Sequence, residues 1–218
     1  MAHDMARRQS SDEPRCFNMR PIEITDANSI ADWFQQLEDI SIFDRQLPLP
    51  QNHTEVTTLV ESLITDQEKE KCKWFITENK DGTAVGVTGL ENINMLHGHA
   101  TLPMFIAAPW RRSGLGVRMA SMMIDLAFKQ LRLHRIATMH RADNAPSQAL
   151  LSRLGFKQEG IARQSWFAQG NHFDLINAGL LKEDWLKVRI QLLQELSHSV
   201  VVNLGPNAST DWCWPGRT

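Results

Sequence analysis

The sequence predicts an α+β, or mixed α/β, domain in which helices pack against antiparallel strands. Three observations lead there. Apolar residues recur at helical spacing in some stretches and alternate in others, and the two kinds of stretch are interleaved along the chain. Several alternating stretches are separated only by short polar or glycine turns, which join antiparallel neighbours. One of them ends near a pair of closely spaced glycines, Gly114 and Gly116, where an amphipathic helix begins.

Residues 1–18 mix Arg, Gln, Ser, Asp and Pro without periodicity and read as a flexible lead-in to a domain spanning 19–198. Residues 20–25 alternate, with Ile22 and Ile24 on one face of a half-buried strand. Thr25 or Asp26 can then cap a helix to about residue 39, with Ile30, Trp33, Phe34 and Leu37 at helical spacing. Pro48 and Pro50 mark 40–52 as a loop, and helical spacing resumes over 54–66 through Val56, Leu59, Val60, Leu63 and Ile64.

Strands at 73–78 and 83–90 flank the turn Asn79-Lys80-Asp81-Gly82, and a reversal at His97-Gly98 leads into a strand at 100–107. After Gly116, the residues Met119, Met122, Met123, Leu126 and Leu131 continue an apolar face begun at Leu115. A strand at 134–140, a helix at 145–154 ending on Gly155, strands at 156–162 and 173–180, and a closing helix from 182 to about 197 follow. Residues 199–218, with Trp212-Cys213-Trp214, read as an appended tail that either packs on its own chain or is disordered, with a homodimer contact as the alternative.

A chain of 218 residues can bury one sizeable core, and a second full domain is not expected. No apolar run approaches the roughly 18–20 residues of a membrane span. The polar start of the chain has no apolar segment behind it, so a cytoplasmic protein without a membrane partner is expected. Cys16, Cys72 and Cys213 are scattered without metal-ligand spacing, which fits a reducing compartment and predicts no metal site. A net charge of −2 argues against nucleic acid as the partner, since such domains carry a basic excess. A small-molecule or protein substrate remains.

The glycine pair carries the chemistry. Gly114 and Gly116 allow close backbone approach to a bulky anion, and the amides of the new helix, with its partial positive end, face the same spot. Arg111 and Arg112 add charge at the rim. Two phosphate-binding patterns are excluded. No Lys follows Gly116, as G-x-x-x-x-G-K-S/T requires, and Met119 stands where a dinucleotide fingerprint needs its third glycine. R-x-x-G-x-G after a strand is what is left, which alone is an anion site or simply a turn.

The run from Phe105 to Val117 resembles motif A of the GNAT superfamily of acetyltransferases, Q/R-x-x-G-x-G/A after the fourth strand. About 28 residues on, Asp143-Asn144-Ala145-Pro146-Ser147 followed by Gly155-Phe156 resembles that superfamily's second signature, N-x-x-S then G-F. The resemblance runs from about Met19 to Trp185 and is to RimJ/RimL-type and spermidine N-acetyltransferases. It implies a mostly antiparallel twisted sheet of about seven strands flanked by helices and splayed between the fourth and fifth. It also implies acetyl-CoA as cofactor and a primary amine as acceptor, on a protein N-terminus or on a polyamine, aminoglycoside or amino sugar. Under it, the backbone of Phe105, Ile106 and Ala107 would hold the pantetheine arm. Amides from Arg112, Ser113, Gly114, Leu115, Gly116 and Val117, beside Arg111, would hold the pyrophosphate. Asn144 would reach a pantetheine amide and Ser147 the thioester sulfur.

An amine attacking a thioester must arrive unprotonated although its pKa is near 10.4, and the departing thiolate needs a donor. Many superfamily members place a tyrosine four residues before the Gly of G-F. Here that residue is Leu151, the chain has no tyrosine, and Ser147 becomes the donor. RimL-type enzymes place a glutamate where this chain has Trp166, so Glu91, at the end of its strand, is the substitute base; it also reads as a solvated loop carboxylate. Phe43, Asp44, Arg45, Trp166 and Phe167 are expected to frame the acceptor pocket, Trp166 equally as plain core. His97, His99, His134, His140 and His172 read as surface or packing residues. The missing tyrosine and glutamate also suit a second reading, a CoA-binding regulatory or interaction module with impaired catalysis.

Overall fold

A computed structural model of the chain describes residues 15–43, 49–68, 71–196, 200–205 and 213–214. The elements, in order, are β1 (Arg15–Pro21), α1 (Ala27–Trp33), α2 (Leu37–Phe43), α3 (His53–Glu68), β2 (Lys73–Asn79), β3 (Ala84–Asn94), β4 (His99–Thr101) and β5 (Met104–Ile106). They continue with α4 (Leu115–Lys129), β6 (Arg135–Arg141), α5 (Ala145–Arg153), β7 (Lys157–Ala168), β8 (Asn171–Leu181), α6 (Lys182–Leu196), β9 (Val200–Leu204) and β10 (Cys213–Trp214).

The strands form one sheet in the order β10-β9-β1-β2-β3-β4-β6-β8-β7, with β5 joined to β3. Neighbours are antiparallel except for β1 with β9 and β4 with β6. The expected α+β architecture is present, with ten strands among the described residues in place of about seven. Two causes account for the difference. Pro103 breaks the strand expected at 100–107 into β4 and β5, because proline has no amide to give a ladder and fixes its own φ. The stretch expected to be a tail supplies β9 and β10.

β9 is no appendage. Val200 and Val202 are fully buried, and β9 lies against β1 in parallel register from Arg15↔Val200 to Met19↔Leu204. The first strand begins at Arg15, not Arg20, because Phe17 and Met19 supply its inward alternation. Trp212 lies outside the described residues, as do residues 1–14 of the expected lead-in.

The single helix expected from about residue 25 to 39 is divided. Asp26 gives its carboxylate to Arg20, which donates to Oδ2 at 2.8 Å and Oδ1 at 2.7 Å, and the chain enters α1 through a short 3-10 turn, Ile24–Asp26. Phe34 leaves helical geometry at φ −96°, ψ 33°, and a new helix, α2, starts at Leu37. Residues 40–43, expected in a loop, belong to α2.

Each face of the sheet has its own core. α4 lies against one face and is buried almost all round, through Leu115, Met119, Met122, Met123 and Ile124. At about 1.5–3 kcal/mol for each large apolar side chain removed from water, this helix dominates the interior. α6 joins it by polar contacts as well, since the buried Asp125 carboxylate accepts from Trp185 Nε1 at 2.8 Å and Arg189 Nε at 2.9 Å. The opposite face is covered by α1 and α3, whose Ile30, Val56 and Val60 pack with Trp74, Ile76, Val87 and Phe105.

Candidate active site

The sheet opens at Pro103. β4 runs parallel to β6 through Thr101↔Ala137, and the Leu102 amide still donates to the Ala137 carbonyl at 2.9 Å. β5 then continues along β3 alone, with Thr88↔Met104, Val87↔Phe105 and Gly86↔Ile106 as partners. Between β5 and β6 the sheet is therefore a wedge, which is the splay expected between the fourth and fifth strands.

Ladder alternation decides which peptide groups line that wedge. The Ala107 amide donates to the Val85 carbonyl at 3.0 Å, and the Gly89 amide to the Pro103 carbonyl at 3.2 Å. Residues 103, 105 and 107 are thus engaged with β3, while Met104 and Ile106 direct their amides and carbonyls away from it, toward the wedge. Of the expected run Phe105, Ile106 and Ala107, only Ile106 presents its peptide groups there. Met104, which the sequence reading did not include, is the second.

The glycine loop closes the end of this wedge. Gly114 precedes α4 at φ +85°, a left-handed conformation that costs other residues about 1–2 kcal/mol. A Cβ on Gly114 would lie 3.6 Å from Val200 of β9, so the loop rests on that strand. Arg15 donates to the Ser113 carbonyl at 2.9 Å from the neighbouring strand, and Phe17 meets Trp110 edge-on at 5.6 Å. Inside the loop, Ser113 Oγ donates to the Trp110 carbonyl at 2.6 Å. Arg112 has φ +56°.

Gly116 serves a different purpose. A Cβ there would sit 3.1 Å from Ile106 Cδ1, 3.6 Å from Met104 Cε and 3.7 Å from Leu150 Cδ2. The missing side chain lets the first turn of α4 approach β5 and α5 together. Leu115 and Val117 on either side are buried.

α5 brings the second signature to the same place. Asn144 caps it, its Oδ1 accepting from the Ser147 amide at 3.1 Å, which commits the amide oxygen and leaves the Nδ2 group for other partners. Ser147 is half-buried in the first turn. Just before it, Arg141 grips Asp143 with two bonds of 2.7 Å and holds that carboxyl below its ordinary range. Leu151, which stands where many superfamily members have a tyrosine, is buried in the α4 core.

The wall on the α1 side is aromatic. Phe105 meets Phe34 at 4.7 Å, Phe43 at 5.6 Å and Trp33 at 5.8 Å between ring centroids. Arg111, expected at the pyrophosphate, turns to this wall. It pairs with Asp39 of α2 at 2.7 Å, donates from Nε to the Ile106 carbonyl at 2.9 Å, and lies 5.3 Å from the Phe105 ring centre.

α2 is tethered by its Ser41 carbonyl, which accepts from Trp166 Nε1 at 2.8 Å and Arg141 at 3.2 Å. Trp166 is buried and works as this tether, whereas Phe167 is exposed beside His172. Asp44 and Arg45 lie outside the described residues.

Glu91 is half-exposed on β3 opposite Thr101. Gly89, two residues earlier on the same face, lies under the Trp74 indole, so Glu91 faces the α1 and α3 side of the sheet. Its charge reaches Cys72, whose thiol is pushed up by burial first and then by Asp66 and Glu91. Among the described residues no group of His, Cys, Asp and Glu could hold a metal ion, and no helix is long and apolar enough to cross a membrane.

A splayed sheet with a glycine loop at a helix start and a capped Asn-x-x-Ser helix beside it defines an acyl-CoA transferase site. The comparisons agree: residues 17–157 match the acetyltransferase (GNAT) domain, and the chain belongs to that family. It is an N-acetyltransferase that takes acetyl from acetyl-CoA to an amine.

Among its relatives is the putative ribosomal N-acetyltransferase YdaF of Bacillus subtilis, 27% identical over 77% of this chain and 92% of that one. Spermidine N(1)-acetyltransferase of Escherichia coli is 26% identical over 61% of this chain and 69% of the relative. The fold is shared with spermidine N-acetyltransferase from Vibrio cholerae, solved with CoA and spermine, at a TM-score of 0.71, with 22% identity over 78% of this chain and 98% of that one.

Proposed function

We propose that the wedge takes the pantetheine arm along β5 and that acetyl passes to a primary amine by direct attack in a ternary complex. The observation that carries this is the meeting at Gly116, where β5, the first turn of α4 and α5 converge within 3.1–3.7 Å of one absent side chain. Peptide groups of Met104 and Ile106 take the pantetheine amides, Asn144 Nδ2 adds a donor, and the amides from Arg112 to Val117 take the pyrophosphate. Arg111 acts at the acceptor wall and not at the phosphates, given its bonds to Asp39 and Ile106.

Ser147 donates a hydrogen bond to the departing thiolate from the first turn of α5. Glu91, on the sheet face that carries Phe105, draws the proton from the incoming amine through water. Phe43 and Phe105 wall the acceptor channel, whereas Phe167 is exposed on β7 beside His172. The acceptor is a protein N-terminus, as RimJ/RimL-type kinship suggests, or a small amine, as the spermidine-acetylating relatives suggest, met in the cytoplasm.

Thiol release from acetyl-CoA across spermidine, an aminoglycoside, an amino sugar and a peptide with a free N-terminus tests this. Turnover with at least one is expected. Tight CoA binding in calorimetry with no turnover on any of them would favour the binding-module reading.

A further inference from the structure

We infer that Thr88 and Thr138 are positioning residues that fix the vertex of the wedge, an inference that rests on the pantetheine arm lying along β5. The vertex is the dipeptide Leu102-Pro103, where the strand leaves β6. Each of its two carbonyls accepts from a threonine hydroxyl: Thr138 Oγ1 donates to Leu102 at 3.1 Å, and Thr88 Oγ1 donates to Pro103 at 3.0 Å. One threonine comes from each flanking strand, β6 and β3. Both are buried, Thr88 at 0% exposure and Thr138 at 9%.

Both hydroxyls work from the α4 face. On β3 the partners of this parity are Gly86, whose Cβ would touch Met119 of α4, and Leu90 in the α4 core; on β6 the partner is Ile136 in that core. The two bonds therefore clamp the break from the side on which the pyrophosphate loop enters α4. Pro103 makes the break necessary, and the threonines decide where it stops. A strand held only by backbone bonds could shift its opening by a residue, and the same shift would move every peptide group presented to the wedge.

A displaced vertex moves the thioester relative to Ser147, while the pyrophosphate loop stays where it is. The effect therefore belongs in turnover more than in affinity, since an error of about 1 Å at reacting atoms can cost 10²-fold. Thr138→Val keeps shape and removes only the hydroxyl. With spermidine or a free-N-terminus peptide as acceptor, whichever the wild type acetylates, it is expected to lower kcat by about 10- to 100-fold. KM for acetyl-CoA should change less than about threefold, and Thr138→Ser should restore kcat.

Thr88→Val is expected to act alike, and the double variant to lose less than the product of the single losses, because both bonds hold one dipeptide. A Thr138→Val enzyme that keeps wild-type kcat, or a Thr138→Ser enzyme that fails equally, overturns the inference. Should either Val variant melt early, the Ser variants and CoA calorimetry on the folded protein carry the test. A wild type without turnover on either acceptor instead counts against the proposed function.

Discussion

Arg111 and Asp39 form an ion pair of 2.7 Å that joins the loop between β5 and α4 to α2. The same guanidinium donates to the Ile106 carbonyl, one of the groups that line the wedge. The wedge beside β5 and the aromatic wall thus share one side chain. Arg111 is 42% exposed and Asp39 16%, so the pair contributes little to global stability, roughly 0–1 kcal/mol.

Asp39→Asn should therefore shift Tm by no more than about 2–4 °C, the scale of 1 kcal/mol in a chain of this size. Its larger expected effect is a several-fold rise in the acceptor KM with the acetyl-CoA KM little changed, read by initial rates at varied concentrations of each substrate. A rise confined to acetyl-CoA would reassign Arg111 to the phosphates.

Gly114→Ala places a side chain at φ +85° with ordinary 3.6 Å contact to Val200, so the expected cost is conformational and not steric. About 1–2 kcal/mol of strain in the loop corresponds to roughly a 5- to 30-fold loss of CoA affinity if the loop relaxes to a right-handed form. Calorimetry with CoA measures it. Gly116→Ala, by contrast, must move Ile106, and a loss there with an intact Gly114 variant would mark strand packing as the more sensitive feature.

Ser147→Ala is expected to reduce kcat without a matching change in acetyl-CoA KM, because its hydroxyl is proposed to meet the thiolate only as the thioester breaks. Asn144→Ala should do the opposite in part, weakening cofactor binding and costing about 0.5–2 kcal/mol of stability through the lost cap on α5. Steady-state kinetics and thermal melts of the two variants separate the roles.

The Arg141–Asp143 pair gives a pH signature. Arg141 holds the Asp143 carboxyl below its ordinary value, so the folded state binds its proton less readily than the unfolded chain. The stabilisation is present above the ordinary carboxylate pKa of about 3.9 and is lost as pH falls through the lower folded value. Asp143 is 43% exposed, so the effect is modest, under about 1 kcal/mol. Asp143→Asn should flatten the acid limb of a urea-midpoint profile below about pH 4 while shifting it little at pH 7.

Much of the site was legible in the sequence because local chemistry dictates it. The Gly114 turn and the apolar face of α4 each follow from neighbouring residues, and the structure has both. The vertex was not legible. Pro103 announces a break, yet the hydroxyls that hold it come from positions 15 residues before and 35 residues after, and strand threonines carry no mark of a special partner. Arg111 was assigned to the phosphates because it begins the loop, but its rotamer is set by Asp39, which only tertiary folding brings near. β9 escapes a sequence reading for a similar reason: Val200 and Val202 alternate over too short a run, and the strand that pairs with them is β1 at the other end of the sequence.

That pairing orders events in synthesis. A nascent chain that has emerged through α6 already contains the glycine loop, both signatures and every strand of the wedge, but not Val200, which packs beneath Gly114. β1, made first, waits with one edge open until residues 200–204 arrive to lie beside it. A chain halted before that point would carry the glycine loop without the strand on which it rests.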